Sequence, residues 1–312
     1  MSFLVRLPQD SYRKDAFEHF KVDSEFKLEN AQAMMWLSQL AYETDDHVKI
    51  SAILTRFDLE LLDFGTNEVI EGFFRHKACF IVARGHGATF IAFAGTDPLK
   101  PQDVITDLHA TVTSEGLHKG FADAAGAVQS RVEDAIRRGG AEEPLFFTGH
   151  SLGGALAIIS AMHARDAGFQ VKAVYTFGGA RAGVRRFFDH YGPSLGNCTF
   201  RLVHGEDIVA SVPPSLLGVL LGGFRHVGRL LHCPQRLKFA EPAPPSNDGN
   251  QPDDFLGAGI SAVLDIVGHM PSLKILQEMD PRSLDDPDND LPEEVRDHVP
   301  ASYFRALQIP LA

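Results

Sequence analysis

The sequence predicts an α/β fold with a mainly parallel central sheet flanked by helices. From about residue 120 onward, short apolar segments typical of buried strands alternate with segments of helical periodicity. Such alternation is built from right-handed crossovers between parallel strands. In addition, a sharp turn with glycines at residues 149 and 153 joins one apolar strand directly to a helix of small residues. We predict one domain over residues 1–312, with a helical segment over about 1–60 and a flexible insertion over about 241–295.

The elements follow in chain order. Residues 30–42 place Ala33, Trp36 and Leu40 on one stripe of a helix, and residues 78–83 and 89–94 form an antiparallel hairpin around a glycine-bearing turn. Further helices are predicted near 120–138, 155–162 and 181–191, and further strands at 144–148, 171–177, 199–203 and 225–231.

The turn at residues 149–153 carries the pattern of a nucleophile elbow centred on Ser151. Gly149 and Gly153 leave room for strand and helix to approach each other, and the serine is expected to adopt a strained backbone conformation. Its hydroxyl then projects above the sheet, where the N-terminus of the following helix favours developing negative charge. Ser151 is therefore the candidate nucleophile.

A serine hydroxyl needs a histidine to accept its proton and a carboxylate to orient that histidine. In strand-to-helix elbows of this kind, the acid follows the strand two after the nucleophile, which selects Asp207, with Glu206 as the alternative. Four histidines come later in the chain. His226 and His232 lie on or beside a predicted strand and are interpreted as structural, which leaves His269 and His298 open.

Two N–H donors are needed to bind the negatively charged oxygen of a tetrahedral intermediate. The first is the backbone N–H of Leu152, directly after the candidate nucleophile. The second is expected where the strand at 89–94 ends in the turn Gly95-Thr96-Asp97-Pro98. Thr96 is the predicted donor, through its backbone N–H and its hydroxyl.

Several segments together resemble the class 3, or fungal-type, lipases of the α/β-hydrolase superfamily. The segments that carry the resemblance are residues 93–96, 103–108, 117–121, 149–154, 175–183, 207–214 and 224–228. Asp297-His298, with Tyr303-Phe304 beyond, is similar to the catalytic histidine segment of that family. The resemblance therefore favours His298 over His269.

This resemblance implies a serine carboxylic-ester hydrolase that acts on lipid or acylglycerol esters through an acyl-enzyme, without a metal or organic cofactor. A phospholipase A1 and a short-chain esterase are the enzymatic alternatives, and a catalytically inactive lipase-like module that binds acyl ligands or a protein is the non-enzymatic one. The resemblance also implies a lid near residues 98–102, whereas the apolar composition of 216–224, joined by 255–267, offers another candidate. Transient contact with a lipid interface is expected.

Composition excludes other classes. With 44% hydrophobic and 22% charged residues and a formal charge of −12, the chain is typical of globular proteins that do not bind nucleic acid. The apolar run at 212–224 is too short and too interrupted to cross a membrane, and the acidic run at 285–290 lacks the glycine of a calcium-binding loop. Three cysteines without CxxC spacing and an N-terminus without a signal-peptide pattern predict a cytoplasmic protein, or one exported without a cleavable signal.

Overall fold

The computed structural model describes residues 6–71, 74–95, 111–213, 222–235, 237–240 and 291–310, with only the backbone described at 69–71 and 74–76. Within these ranges a seven-stranded sheet has the order β1-β2-β3-β4-β5-β7-β9, and β6 pairs with β8 in a separate small sheet. The strands are β1 (Glu60–Glu71), β2 (Phe74–Gly85), β3 (Ala88–Ala94), β4 (Leu145–His150), β5 (Val171–Phe177), β6 (Gly183–Val184), β7 (Thr199–His204), β8 (Phe224–Arg225) and β9 (Arg229–Cys233).

In the large sheet the pairs β1–β2 and β2–β3 are antiparallel, and every following pair is parallel. The described helices are α1 (Leu28–Leu40), α2 (His47–Arg56), α3 (Lys119–Gly140), α4 (Leu152–Asp166), α5 (Arg185–Leu195), α6 (Glu293–His298) and α7 (Pro300–Ala306). The sheet is therefore mostly parallel, as the alternating pattern predicts.

Apolar side chains of the central strands alternate between two buried clusters, one on each face of the sheet. In β3, Phe90 belongs to the cluster that includes α1 and α7, whereas Ile91 belongs to the cluster that includes α3, α4 and α5. Alternation with period two is the normal consequence of strand geometry, and here both faces are covered by helices. The predicted α/β-hydrolase architecture is confirmed.

Two details differ from the predicted elements. Residues 225–231 were expected to form one strand, but β8 and β9 lie in different sheets and are separated by Gly228, whose φ is +82°. The long strand β1 was not predicted at all. Its described side chains are half-buried or exposed on both faces, so the apolar–polar alternation that identifies a strand is absent.

Several expectations fall outside the described residues. These are the lid candidates at 98–102, 216–221 and 255–267, the acidic run at 285–290, and most of the predicted insertion at 241–295, of which only residues 291–295 are described. The single-domain organisation stays a prediction. Among the helices of the described ranges, none is both long enough and apolar enough to cross a membrane.

Candidate active site

Ser151 lies between β4 and α4 with the backbone strain expected of a nucleophile elbow. Its φ is +61° and its ψ is −134°, a conformation that non-glycine residues rarely adopt. The Ser151 N–H donates to the carbonyl oxygen of Phe177 at 2.9 Å, which ties the turn to β5. A Cβ added to Gly149 would overlap the backbone of Gly153, and one added to Gly153 would overlap the backbone of β3. The two glycines thus permit the close strand–helix contact.

The structure brings Ser151, His298 and Asp207 together although they are far apart in sequence. The Nε2 atom of His298 lies 2.9 Å from the Ser151 Oγ, and its Nδ1 atom lies 2.8 Å from the Asp207 Oδ1. His298 is the last residue of α6, and Asp207 follows β7, two strands beyond the elbow in the large sheet. All three residues are at most 2% exposed. This geometry allows the imidazole to accept the serine proton while the carboxylate orients the imidazole and stabilises its charged form.

The Asp207 carboxylate is held by donors on both oxygens. Oδ1 also accepts the N–H of Val209 at 2.9 Å, and Oδ2 accepts the hydroxyl of Tyr303 at 2.6 Å. Burial by itself would raise the pKa of Asp207, but the positive charge of a protonated His298 and the hydrogen bonds from His298 and Tyr303 outweigh it, so the pKa lies below the usual 3.8. The carboxylate therefore stays ionised and can stabilise an imidazolium.

His150 contacts His298 through a hydrogen bond to its backbone and through ring stacking. Its Nε2 lies 2.7 Å from the carbonyl oxygen of His298 and its Nδ1 lies 2.8 Å from the hydroxyl of Tyr42. Because a carbonyl oxygen only accepts, the Nε2 of His150 carries the proton and Tyr42 donates to Nδ1. The two imidazole rings stack with centroids 4.7 Å apart. Burial, and then the nearby charge of His298, lowers the pKa of His150 to about 3, so it stays neutral.

One family model matches the part of the chain that contains the site. Residues 90–217, which include most of β3 together with Ser151 and Asp207, match the family model of the class 3 lipases. The chain is therefore similar to the class 3 lipases over these residues, which make up less than half of its length.

Individual proteins show similarity to the chain over segments of different length. The secreted mono- and diacylglycerol lipase 1 of Fusarium solani is 34% identical over 114 residues, which are 36% of this chain and 32% of that protein. The chloroplastic phospholipase A1-Igamma1 of Arabidopsis thaliana is 29% identical over 233 residues, 66% of this chain and 44% of that protein. The matched segments therefore span less than half the length of these two curated relatives.

A solved structure supports the fold over a larger share of its own chain. It is a triacylglycerol lipase described as having a serine protease triad as its catalytic centre. It superposes with a TM-score of 0.51 at 27% sequence identity, covering 66% of this chain and 79% of that chain. The mostly parallel sheet and the elbow of this chain are thus those of an α/β-hydrolase fold.

The predicted oxyanion donors are described in part. Leu152 is the first residue of α4, where backbone N–H groups lack acceptors within the helix. Thr96 lies outside the described residues, but Gly95 immediately before it packs directly on the elbow. A Cβ at Gly95 would lie 2.6 Å from the Cβ of Ser151 and 2.8 Å from the carbonyl oxygen of His150. The end of β3 therefore reaches the nucleophile.

The other acid and histidine candidates are placed elsewhere or not described. Through Nε2, His226 donates to the carbonyl oxygen of Ala210 at 2.6 Å, and His232 donates to that of Gly205 at 3.0 Å. Both are thus structural, as predicted. His269 lies outside the described residues. The side chain of His298 contacts both the Ser151 Oγ and the carboxylate of Asp207, the predicted acid in preference to Glu206.

Sequence reasoning missed the supporting roles of Tyr42, His150 and Tyr303. Tyr42 lies 108 positions before His150, and Tyr303 lies 96 positions after Asp207. No local pattern pairs residues at such separations. For His150, its position inside the elbow motif was a signal, since that residue ends β4 beside the nucleophile. For Tyr303, its place in the family-like histidine segment was the available signal.

Proposed function

We propose that this protein is a class 3 lipase that hydrolyses carboxylic esters of lipids or acylglycerols by serine catalysis. The observation that carries the proposal is the continuous hydrogen-bonded chain from the Ser151 Oγ through His298 to Asp207. A buried serine on a strained elbow, with a histidine and an ionised carboxylate in line, is arranged for nucleophilic attack. The proposed catalytic residues are Ser151, His298 and Asp207.

The first half of the reaction forms an acyl-enzyme. The Ser151 Oγ attacks the ester carbonyl carbon while the Nε2 of His298 accepts the serine proton, and Asp207 stabilises the resulting imidazolium. The carbonyl oxygen becomes an oxyanion, for which Leu152 and Thr96 are the proposed donors. When the tetrahedral intermediate collapses, the bond to the alcohol oxygen breaks and His298 returns its proton to that oxygen. The alcohol leaves and the acyl group remains on Ser151.

The second half repeats this chemistry with water. His298 removes a proton from a water molecule, whose oxygen attacks the acyl carbon of the acyl-enzyme. The second tetrahedral intermediate breaks its bond to the Ser151 Oγ, and His298 protonates that oxygen. The free acid leaves and Ser151 is regenerated. Every proton in these steps is transferred by His298, whose backbone is bound by the neutral His150 and whose side chain is bound by the ionised Asp207.

Acylglycerols are the proposed substrate class because the Fusarium relative is a mono- and diacylglycerol lipase and the solved structural relative is a triacylglycerol lipase. A phospholipase A1 is the second candidate, and the observation that favours it is the alignment with the Arabidopsis phospholipase, which covers 66% of this chain. The two candidates share the same triad and differ in the alcohol that leaves. A short-chain esterase would use the same chemistry on soluble esters.

Contact with a lipid surface and the compartment belong to the same proposal. A substrate of this class is presented at an interface, so the enzyme is expected to bind lipid transiently. The three cysteines are free thiols, with Cys79 and Cys233 buried and Cys198 half-buried. We infer residence in a compartment that keeps thiols reduced, such as the cytoplasm, on the basis of this cysteine usage.

Ester hydrolysis by the purified protein tests the proposal. p-Nitrophenyl esters from acetyl to palmitoyl, monoacylglycerol and a phosphatidylcholine vesicle would be compared for wild type, Ser151→Ala and the control Ser114→Ala, which changes an exposed serine. We expect turnover to fall on the order of 10³-fold or more in Ser151→Ala only. The chain-length and headgroup profile then separates lipase, phospholipase and esterase. Undiminished turnover in Ser151→Ala would contradict the mechanism.

A further inference from the structure

The proposed base of this site sits on a short element that cannot fix its own position. Helix α6 has six residues and ends at His298, and the next residue, Val299, is extended with φ −64° and ψ 148°. So short a helix gains little stability from its own hydrogen bonds. The position of the His298 ring therefore depends on contacts that neighbouring residues make with the rest of the molecule.

Asp297, the residue directly before His298, makes such contacts with its side chain. Its Oδ2 accepts the backbone N–H of Glu206 at 2.9 Å and the Nε2 amide of Gln235 at 2.7 Å. Its Oδ1 lies 3.4 Å from the Nδ1 of His204. Asp297 is only 4% exposed, so these groups replace the water that a carboxylate would otherwise bind.

The contacts of Asp297 run parallel to those of His298. Asp297 binds the backbone of Glu206, and the next residue, His298, binds the side chain of Asp207. Two consecutive residues of the base segment are thus fastened to two consecutive residues of the acid loop. A shift or rotation of α6 along this loop would have to break both connections.

The acid loop is shaped to admit the Asp297 carboxylate. Gly205 has a φ of +53°, and a Cβ on it would overlap Oδ2 of Asp297. A side chain at this position would push the carboxylate away from the Glu206 N–H. The glycine therefore serves two needs at once, a turn in the left-handed region and space for a buried carboxylate.

We propose that Asp297 is a positioning residue that locks the base segment onto the acid loop and so holds His298 between Ser151 and Asp207. Its described contacts are with Glu206, Gln235 and His204, and it acts on the reaction through His298 alone. The inference rests on the proposed serine mechanism for its effect on turnover, but the lock itself is a structural feature with its own readout.

Two variants separate hydrogen bonding from charge. In Asp297→Asn, an amide oxygen at the position of Oδ2 can still accept from Glu206 and Gln235, whereas in Asp297→Ala both connections are lost. A misplacement of reacting groups by about 1 Å costs on the order of 100-fold in rate. We therefore expect kcat to fall about 10- to 100-fold in Asp297→Ala with KM little changed, and to stay within about threefold of wild type in Asp297→Asn.

Gln235→Ala provides a milder variant that keeps the Glu206 connection, and its kcat is expected to lie between those of Asp297→Asn and Asp297→Ala. Asp166→Ala, which changes an exposed acidic residue, is the control. Wild-type kcat in Asp297→Ala, with only a lower melting temperature, would overturn the proposal. Equal losses in Asp297→Ala and Asp297→Asn would also overturn it, because charge rather than the lock would then be responsible.

A proton NMR measurement tests the lock without any turnover. The proton shared by the Nδ1 of His298 and Asp207 should give a downfield resonance, assigned by its absence in His298→Ala. We expect this resonance to persist in Asp297→Asn and to weaken or vanish in Asp297→Ala. If the wild-type protein cleaves no ester, the proposed function fails while this result still decides the role of Asp297. An unchanged resonance in Asp297→Ala would refute the lock.

Discussion

Gly178 shows how closely single residues determine the candidate site. Its φ is +55°, and a Cβ on it would overlap Oδ2 of Asp207 and lie 3.0 Å from the Nδ1 of His298. The backbone directly after β5 therefore lies so close to Asp207 and His298 that there is no room for a side chain on Gly178. Gly178 is therefore expected to affect activity by leaving room for the acid and the base, without taking part in the chemistry.

The first prediction concerns Gly178→Ala. A side chain in the left-handed region costs about 1–2 kcal/mol, and here it would also displace the acid or the base. Gly168→Ala is the matched control, because Gly168 has a φ of +89° but nothing within 4 Å of the added Cβ. We expect the strain of a side chain at positive φ to lower the free energy of unfolding in urea by a similar amount in both variants. Only Gly178→Ala should lose ester hydrolysis, and equal activity in the two would contradict the argument.

At the scale of elements, α7 and the loop after β7 form the support of the acid. The Tyr303 hydroxyl donates to Oδ2 of Asp207 at 2.6 Å and accepts the backbone N–H of His204 at 3.2 Å. Since Tyr303 belongs to α7, which follows the base segment in sequence, one short helix pair supplies both the base and a donor to its acid. The end of β7 is thereby joined to the C-terminal helices.

Tyr303→Phe is the second prediction. The variant keeps the ring but removes the hydroxyl, leaving Oδ2 of buried Asp207 without this donor, a loss of about 1–3 kcal/mol. We expect lower stability together with a lower kcat, because the carboxylate is less firmly oriented toward His298. Tyr191→Phe, which removes the 2.8 Å bond to Thr199 far from the acid, should lower stability alone. A normal kcat in Tyr303→Phe would show that the hydroxyl does not support catalysis.

Sequence reasoning located the elements whose residues carry a strong local pattern. The hairpin of β2 and β3, the elbow and β5 have continuous or alternating apolar residues, and their positions were predicted closely. β1 was not predicted because its described side chains are half-buried or exposed on both faces. The separation of β8 from β9 was not predicted because it depends on one positive-φ glycine, Gly228. Sheet membership depends on pairing partners, which a local pattern does not contain.

At the scale of the whole molecule, buried neutral histidines link stability to pH. The pKa of His150 is lowered from 6.5 to about 3, first by burial, and burial also lowers the pKa of His226 well below 6.5. Between these values the unfolded chain binds a proton that the folded protein does not, so stability falls as pH decreases from about 6.5 toward 3. Asp207, with a folded pKa below 3.8, adds a loss of the same sign at still lower pH.

The third prediction follows from this linkage. The free energy of unfolding in urea, measured between pH 7 and pH 4, should decrease with falling pH. His150→Gln should reduce that slope by up to about 1.4 kcal/mol per pH unit, the contribution of one proton. His190→Gln, which changes an exposed histidine, should leave the slope as in wild type. A slope that is the same in His150→Gln and wild type would contradict the assignment of His150 as a buried neutral group.

The site as a whole was predicted from the sequence only in its outline. The elbow motif indicates Ser151, and chain order indicates Asp207, but position alone left the histidine open until the family resemblance favoured His298. The structure places these three side chains in contact, while their catalytic roles remain a prediction. The contacts that hold them, from Tyr42, Tyr303 and Asp297, join residues from distant parts of the chain. Only the folded arrangement brings such partners together.

Covalent labelling tests directly whether Ser151 is a nucleophile that His298 activates. Wild type, His298→Ala and Asp207→Asn would be treated with a fluorophosphonate, and the modified peptide would be mapped by mass spectrometry. We expect a single adduct on Ser151 in wild type. In His298→Ala this adduct should form at least about 100-fold more slowly, because the hydroxyl loses its general base. No adduct, an adduct on another serine, or equally fast labelling without His298 would contradict this expectation.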